Sequence, residues 1–147
     1  MGLSFRIAGV SDLQTILSLY EYLHAADLPI EGDVAQKNIE DIVGTPGLEI
    51  MIAEYEGNAV ATCYLNVIGN LTRGGKSYGV IENVVTHPNY RQRGFGRELL
   101  EHVLDRAWRA DCYKVMLMTG NAANISFYQS VGFDASAKFA LLAKPKN

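Results

Sequence analysis

The segment over residues 84–100, VVTHPNYRQRGFGRELL, constrains the fold of this chain more than any other. It predicts a β-strand that ends near Thr86, a turn rich in arginine and glycine, and then a long helix over residues 94–110. The helix is predicted because apolar side chains recur there at a spacing of about 3.6 residues, which gives one apolar face. Those side chains are Phe95, Leu99, Leu100, Val103, Leu104, Ala107 and Trp108.

The periodicity of the remaining sequence predicts a single α/β domain. Runs with apolar alternation or a high content of β-prone residues predict strands at 3–8, 49–55, 59–67, 78–86, 113–119 and 133–143. Helical spacing predicts further helices at 11–23, 33–43 and 124–130, the first with Ser11 as its N-cap. No linker or repeat divides the chain, so residues 1–147 are assigned to one domain. One sheet covered by helices is the expected architecture.

The composition excludes several classes of protein. The chain is 48% hydrophobic and 20% charged, which excludes a disordered or low-complexity sequence. Its formal net charge of −3 argues against a protein that coats nucleic acid. Cys63 and Cys112 form no CxxC motif, so neither a disulfide framework nor a metal site is expected. No apolar run approaches the ~20 residues that span a membrane, and no secretion signal is evident, so we expect a cytoplasmic protein.

The turn before the long helix predicts an anion-binding site. The first N–H groups of a helix have no intrahelical acceptor, and the helix dipole adds about half a positive charge there. Gly94 and Gly96 would let a phosphate approach the backbone, and Arg91, Arg93 and Arg97 add charge. Cations are disfavoured at this end of a helix by a few tenths to about 1 kcal/mol each, so three of them indicate an anionic partner such as a pyrophosphate. The alternative is that the glycines permit close packing and the arginines face solvent.

Two blocks of this sequence resemble a known superfamily. The Arg-x-x-Gly-x-Gly run at 91–96, followed by Leu-Leu, resembles the acyl-CoA signature of the GNAT N-acetyltransferases. Asn-x-x-Asn-x-x-Phe-Tyr at 121–128, closed by Gly132-Phe133, is similar to their Asn-x-x-Ala-x-x-Phe-Tyr…Gly-Phe segment. The resemblance covers most of the chain and is most specific over residues 81–133. It implies a central mixed, mostly antiparallel sheet of six to seven strands, flanked by about four helices.

Within that superfamily, the sequence is most similar to the glucosamine 6-phosphate N-acetyltransferase group. Ile-Glu-Asn-Val-Val at 81–85 resembles the group's Ile-Glu-Asp-Val-Val strand, and Cys-Tyr-Lys-Val-Met-Leu at 112–117 resembles its Cys-Tyr-Lys-Ile-Ile-Leu. Two acidic residues of the group are replaced here, by Asn83 and Met118. These departures leave open which amine is the substrate.

The resemblance implies an acyltransferase that moves the acetyl group of acetyl-CoA directly to the primary amine of a small molecule, such as an amino sugar or an amino acid. Acetyl-CoA is then a co-substrate, and no metal is expected. The residues implied to bind acetyl-CoA are Val84, Val85, Thr86, Arg91, Gln92, Arg93, Gly94, Phe95, Gly96, Arg97, Asn121, Phe127 and Tyr128.

Tyr128, from the resemblance, and Glu82, from its place on the predicted strand, are the two predicted catalytic residues. Tyr128 would protonate the leaving thiolate, and Glu82 would act as the general base, directly or through water. Each has a structural alternative, since a tyrosine on an apolar helical face is often a core residue. A strand carboxylate faces either core or cleft, and an unpaired carboxylate in a core is costly, which favours the cleft for Glu82.

Two other functions stay open at this point. A non-catalytic acyl-CoA-binding sensor would keep the same helix start, and a protein or peptide N-acetyltransferase would need a groove for a peptide. Arg73 and Lys76 indicate an anionic substrate, a contact with the 3′-phosphate of CoA, or an ordinary exposed loop. No nucleic-acid or membrane partner is expected. Whether the chain is a monomer or a homodimer completed by its C-terminal strand is also left open.

Overall fold

A computed structural model describes residues 2–147 of the protein. Its contacts divide it into a first unit that ends at Leu117 and a second unit over Met118–Asn147. The first unit contains, in chain order, β1 (Ser4–Ile7), α1 (Leu13–Tyr20), α2 (Gly32–Gly44), β2 (Leu48–Tyr55), β3 (Asn58–Ile68), β4 (Tyr78–Thr86), α3 (Phe95–Arg109) and β5 (Val115–Met116). The second unit contains α4 (Ile125–Val131).

The five strands form one mixed sheet in the order β1-β2-β3-β4-β5. The first three pairs of neighbours are antiparallel, and β4 and β5 are parallel. The predicted mixed, mostly antiparallel sheet and the four helices are therefore confirmed. The prediction of six to seven strands is wrong, because five are present among the described residues.

The missing strand is the one predicted at 133–143. That segment is rich in β-prone residues, but the structure describes no strand there, and Phe139 and Leu141 are 100% and 95% exposed. A strand needs a neighbour to pair its backbone N–H and C=O groups, which a propensity pattern does not supply. The strand predicted at 113–119 is likewise reduced to Val115–Met116.

The start of α1 also differs from the prediction. Ser11 lies inside a 3₁₀ turn over Val10–Asp12, and it does not cap the helix. Asp12 instead forms the polar contacts in this turn: its carboxylate accepts a 2.8 Å hydrogen bond from the Gly9 amide and forms an ion pair with Arg6.

The helices of the first unit cover both faces of the sheet. Ile16 of α1 and Ile39 of α2 form one buried cluster with Ile50 and Ile52 of β2. The third helix also packs on β2, β3 and β4, yet none of its side chains belongs to that cluster, so α3 covers the opposite face. Most of the predicted α3 stripe is buried, but Trp108 is 49% exposed.

The fourth strand has two irregularities that shape the site. Thr62 of β3 opposes Val85 and Tyr64 opposes Glu82, so two β4 residues, Asn83 and Val84, stand opposite one β3 residue. This is a β-bulge, and Asn83 within it has a φ of +54°. In addition, β4 pairs with β5 only at Gly79 and Val80, so its later residues have no strand partner on that side among the described residues.

Gly79 sets how closely β4 and β5 approach. A Cβ atom at this position would lie 3.1 Å from Cγ2 of Val115, which is closer than ordinary van der Waals contact. The two strands therefore touch at Gly79 and have no further pairing toward the end of β4.

No helix among residues 2–147 combines the length and the apolar character that a membrane crossing requires.

Candidate active site

The turn before α3 presents unpaired backbone amides, as its sequence predicts. Gly94 is the N-cap, with a left-handed φ of +84°, and the first helical hydrogen bond joins the Glu98 amide to the Gly94 carbonyl at 3.0 Å. The amides of Phe95, Gly96 and Arg97 donate to no group of residues 2–147. Together with the helix dipole, three free donors at a helix start are suited to a phosphate group.

The three arginines of this turn already have partners within the protein. Arg91 donates from Nε to the Thr86 carbonyl at 3.0 Å, and Arg97 donates from Nε to Oε1 of Glu101 at 2.8 Å. The Arg93 guanidinium lies over the rings of Tyr55, Tyr90 and Phe95. These internal partners offset part of the unfavourable charge at the helix start, so the arginines by themselves do not require a bound anion. The spacing of Arg97 and Glu101 was readable from sequence, whereas the other partners were not.

Glu82 lies on the face of the sheet that α1 and α2 cover. Ile50, Tyr64 and Glu82 stand opposite one another on β2, β3 and β4, and residues in register point to the same face. The Glu82 side chain is exposed, so it is not a core residue. Next to it, Val84 and Thr86 are half-buried and Val85 is buried.

Tyr20 of α1 reaches the bulge in β4, a connection that the sequence pattern did not reveal. Its side chain forms a hydrogen bond with Asn83. Burial raises the pKa of the Tyr20 hydroxyl to about 12, and the Asn83 hydrogen bond opposes that rise. The hydroxyl is therefore neutral near pH 7. From sequence, Tyr20 was only one member of an apolar helical stripe.

A cavity of about 650 Å³ lies beside Tyr20 on the same face. Apolar side chains of α1 and α2 line it, and Ile50 forms part of its wall. Exposed polar side chains from the segment after α1, Glu21, His24 and Asp27, also line it. The cavity can therefore accept a small molecule with both apolar and polar parts.

Cations and aromatic rings meet near the start of β4, and we call Arg73, Lys114, Tyr78 and Tyr113 the basic cluster. Arg73 Cζ lies 5.5 Å and Lys114 Nζ 5.3 Å from the Tyr113 ring centroid. Lys114 Nζ also lies 5.5 Å from the Tyr78 ring. The sequence predicts Lys76, together with Arg73, as a candidate ligand of an anion. In the structure, Lys76 instead forms a 3.2 Å ion pair with Asp111.

The other predicted residues belong to the second unit. Asn121 caps the turn Ala122–Asn124, with Oδ1 accepting from the Ala123 amide at 3.0 Å. The Tyr128 ring packs 5.1 Å from the Phe127 ring and 6.1 Å from the Phe133 ring. Phe127 is 36% exposed, and Tyr128 is half-buried.

Neither cysteine has the surroundings of a nucleophile. Cys63 and Cys112 are buried free thiols, and burial raises the pKa of Cys63 to about 12. A thiol with a raised pKa holds little thiolate, which is the reactive form. In the part of the chain that the structure describes, no three His, Cys, Asp or Glu side chains are grouped to hold a metal ion.

Comparison with known proteins identifies relatives over nearly the whole chain. The profile of the acetyltransferase (GNAT) family matches residues 16–133. A glucosamine 6-phosphate N-acetyltransferase of Trypanosoma brucei brucei is 33% identical over 90% of both chains. An L-methionine sulfoximine/L-methionine sulfone acetyltransferase of Salmonella typhimurium is 29% identical, over 92% of this chain and 82% of its own length. A solved structure of a putative acetyltransferase from Agrobacterium tumefaciens is 38% identical, with a TM-score of 0.89, and the match covers 96% of this chain and 99% of that one.

Proposed function

The chain belongs to the GNAT family of acetyltransferases, and from this premise we propose that it acetylates a small primary amine that also carries an anionic group. The acetyl group comes from acetyl-CoA. The observation that carries the proposal is that Glu82, the cavity beside Tyr20 and the basic cluster all lie on the face of the sheet that α1 and α2 cover. The face covered by α3 carries none of these features.

The basic cluster supports an anionic group on the amine. Tyr78 precedes Glu82 by four residues on β4, so both side chains point to the same face, about 13 Å apart along the strand at ~3.3 Å per residue. Lys114 stands over Tyr78, and Arg73 shares the Tyr113 ring with it. Two cations beside one ring raise the positive potential around it, which favours a phosphate or carboxylate nearby. The two named enzymes among the relatives act on compounds of this kind, a sugar phosphate and an amino acid derivative.

For acetyl-CoA, the proposal uses the turn before α3 and the unpaired edge of β4. The free amides of Phe95, Gly96 and Arg97 would hold the pyrophosphate. The pantetheine arm would lie along Val84, Val85 and Thr86, as an added strand pairs with a sheet edge. Asn121 and Phe127 are also proposed to bind acetyl-CoA, on the resemblance of their motif to that of the family. No metal takes part in this proposal.

In the proposed reaction, the amine nitrogen attacks the thioester carbonyl, the C–S bond breaks, and an amide and a free thiol form. Tyr128 would donate a proton to the leaving thiolate, and Glu82 would receive the proton that the amine loses. Since Glu82 is exposed, a water molecule between its carboxylate and the amine is the favoured route. A base matters less for an α-amine with a pKa near 7.7–8.0, whose free form costs about 1 to 1.4 kcal/mol at pH 7, than for a lysine-like amine, at about 4.6 kcal/mol.

The decisive experiment measures thiol release from acetyl-CoA with matched pairs of amines. Glucosamine 6-phosphate is compared with glucosamine, and methionine sulfone with its carboxamide. We expect kcat/KM at least tenfold higher for the anionic member, since a hydrogen bond to a charged group contributes about 1.5–3 kcal/mol. Lys114→Met should remove most of that preference. Lys37→Met serves as the control, because Lys37 lies on α2 and pairs with Asp41.

The same assay separates an enzyme from an acyl-CoA sensor. Tyr128→Phe keeps the ring that packs on Phe127 and Phe133 but removes the proposed acid, so turnover should fall by about 10²-fold or more while acetyl-CoA binding is kept. Equal rates for charged and neutral amines, unchanged by Lys114→Met, would refute the anionic substrate. Acetyl-CoA binding without turnover on any amine would favour the sensor.

We also propose that the protein is a homodimer in which the segment after α4 takes part. The exposed apolar side chains of Phe139, Leu141 and Leu142 support this.

A further inference from the structure

The Arg93 side chain lies in a group of three rings, Tyr55, Tyr90 and Phe95, which we call the aromatic cage. Its Cζ atom is 4.8 Å from the Tyr55 ring centroid, 4.9 Å from that of Phe95 and 5.7 Å from that of Tyr90. All three distances fall within the ~6 Å over which a ring face attracts a cation. The guanidinium therefore has three attractive partners and points to rings of its own protein.

The aromatic cage joins three separate segments. Tyr55 ends β2, Tyr90 belongs to the 3₁₀ turn Pro88–Tyr90, and Phe95 begins α3. Phe95 is only 8% exposed, and its ring centroid lies 4.9 Å from that of Tyr55 and 6.4 Å from that of Tyr90. Arg93 consequently ties the turn to the sheet and to the buried start of the helix.

The backbone around Arg93 needs such an anchor. Gln92 and Gly94, on either side of it, both have left-handed φ values, +60° and +84°. This conformation is unstrained for glycine but unfavourable for glutamine, so residue 92 adopts it only if the surroundings impose it. The same two left-handed residues set the direction of the amides that follow, those of Phe95, Gly96 and Arg97.

We propose that Arg93 is a positioning residue: its guanidinium stays in the aromatic cage and fixes the Gln92–Gly94 turn, so that backbone amides rather than the Arg93 side chain bind the pyrophosphate. This inference rests on the proposed function, because it assigns a role within the acetyl-CoA site. From the sequence alone, Arg93 is expected to add positive charge beside the pyrophosphate, and not to hold the turn in place.

The two roles predict opposite effects of opening the aromatic cage. If Arg93 positions the turn, removing a ring loosens the turn and weakens acetyl-CoA binding. If Arg93 binds phosphate directly, removing a ring releases the guanidinium and leaves binding unchanged or stronger. Tyr55→Leu tests this, and Tyr55→Phe is the matched control that keeps an aromatic face.

The first measurement is NMR of the full-length protein with ¹⁵N- and ¹³C-labelled arginine. In the free protein, the Arg93 side-chain signals should be shifted upfield by the ring currents of the aromatic cage. The shift should be lost in Tyr55→Leu and kept in Tyr55→Phe. On addition of acetyl-CoA to the unmodified protein, it should persist.

The second measurement is the dissociation constant of acetyl-CoA and the steady-state constants. Arg93→Met and Tyr55→Leu should each raise Kd and KM about fivefold, with kcat unchanged within about twofold. The double variant Arg93→Met/Tyr55→Leu should bind acetyl-CoA no more weakly than either single variant, since both substitutions break the same contact. Arg93→Lys should recover part of the affinity, because lysine also binds ring faces. Circular dichroism checks folding, and Tyr90→Leu replaces Tyr55→Leu if the latter does not fold.

Either of two results would overturn this inference and leave the proposed function intact. One is loss of the Arg93 ring-current shift when acetyl-CoA binds. The other is a Tyr55→Leu variant that binds acetyl-CoA as well as the unmodified protein or better. By contrast, an unmodified protein that shows the shift but does not bind acetyl-CoA would overturn the proposed function as well.

Discussion

At the scale of single residues, Asn83 has an unusual backbone conformation for a strand residue. It is a non-glycine residue with a φ of +54° inside a β-bulge, and its side chain forms a hydrogen bond with Tyr20. Asparagine tolerates the left-handed region better than most residues, because its short polar side chain bonds locally. The asparagine thus allows a bulge that places Glu82 and Val84 on either side of a break in the regular pairing.

Asn83→Ala and Asn83→Gly separate the two contributions of this residue. Both substitutions remove the hydrogen bond to Tyr20, but only alanine has a Cβ atom that the left-handed backbone disfavours. We therefore expect Asn83→Ala to be about 1 kcal/mol less stable than Asn83→Gly. Urea unfolding followed by circular dichroism measures the difference. Equal stabilities would mean that the bulge relaxes when the side chain is lost.

The β-bulge at Asn83 could not be predicted from the sequence. Alternation predicted that Glu82 faces core or cleft, and the cost of a buried carboxylate favoured the cleft, which the exposed position of Glu82 agrees with. Nothing in the run from Ile81 to Val85 indicated an extra residue in the strand, because a bulge depends on the partner strand. The partners of Arg91 and Arg93 were not predicted either, because the conformation of the turn and the position of β2 bring them together.

At the scale of elements, α3 was the most predictable part of the fold. Helical spacing predicted a helix at 94–110, and the helix runs over Phe95–Arg109. The prediction succeeds because a continuous apolar stripe within the segment itself indicates which face of the helix is buried. The local sequence of a strand is less informative. The predicted strand at 113–119 shrank to two residues and the one at 133–143 is absent, since strand formation depends on a neighbour that the local sequence does not specify.

The contact between α3 and β2 includes an ion pair whose effect on stability can be measured against a control in the same helix. Arg106 donates two hydrogen bonds to Glu49, from Nε at 2.8 Å and from Nη2 at 2.6 Å. The Arg106 side chain is 35% exposed and that of Glu49 26%. Arg109 instead pairs with Asp105 of its own helix, and its side chain is 80% exposed.

Arg106→Met should lower the free energy of unfolding by about 1–2 kcal/mol, because it leaves a half-buried carboxylate without its two donors. Arg109→Met should change it by less than about 0.5 kcal/mol, as expected for a solvent-exposed pair. Urea unfolding of the two variants at one pH and salt concentration gives the comparison. Equal losses would show that the Glu49 pair adds nothing beyond a surface ion pair.

At the scale of the whole molecule, the segment after α4 exposes more apolar surface than is usual for a soluble monomer. Phe139, Leu141 and Leu142 are 100%, 95% and 73% exposed. A single exposed apolar residue is ordinary, and Leu71, which is 100% exposed in the loop before the turn Arg73–Gly75, is an example. Three large apolar side chains within four residues form a patch, and such patches mark interaction surfaces.

The proposed homodimer predicts that this patch is covered in solution by a second copy of the chain. Sedimentation equilibrium should give the mass of a dimer for the unmodified protein and of a monomer for the double variant Phe139→Ser/Leu141→Ser. Leu71→Ser removes an equally exposed leucine from outside the patch and should stay dimeric, which controls for a general effect of surface hydrophobicity. A monomeric unmodified protein would refute the homodimer, and a dimeric double variant would move the interface away from this segment. The choice of residues matters because Phe139 and Leu141 make no core contact whose loss could unfold the chain, so a change in mass reports on association alone.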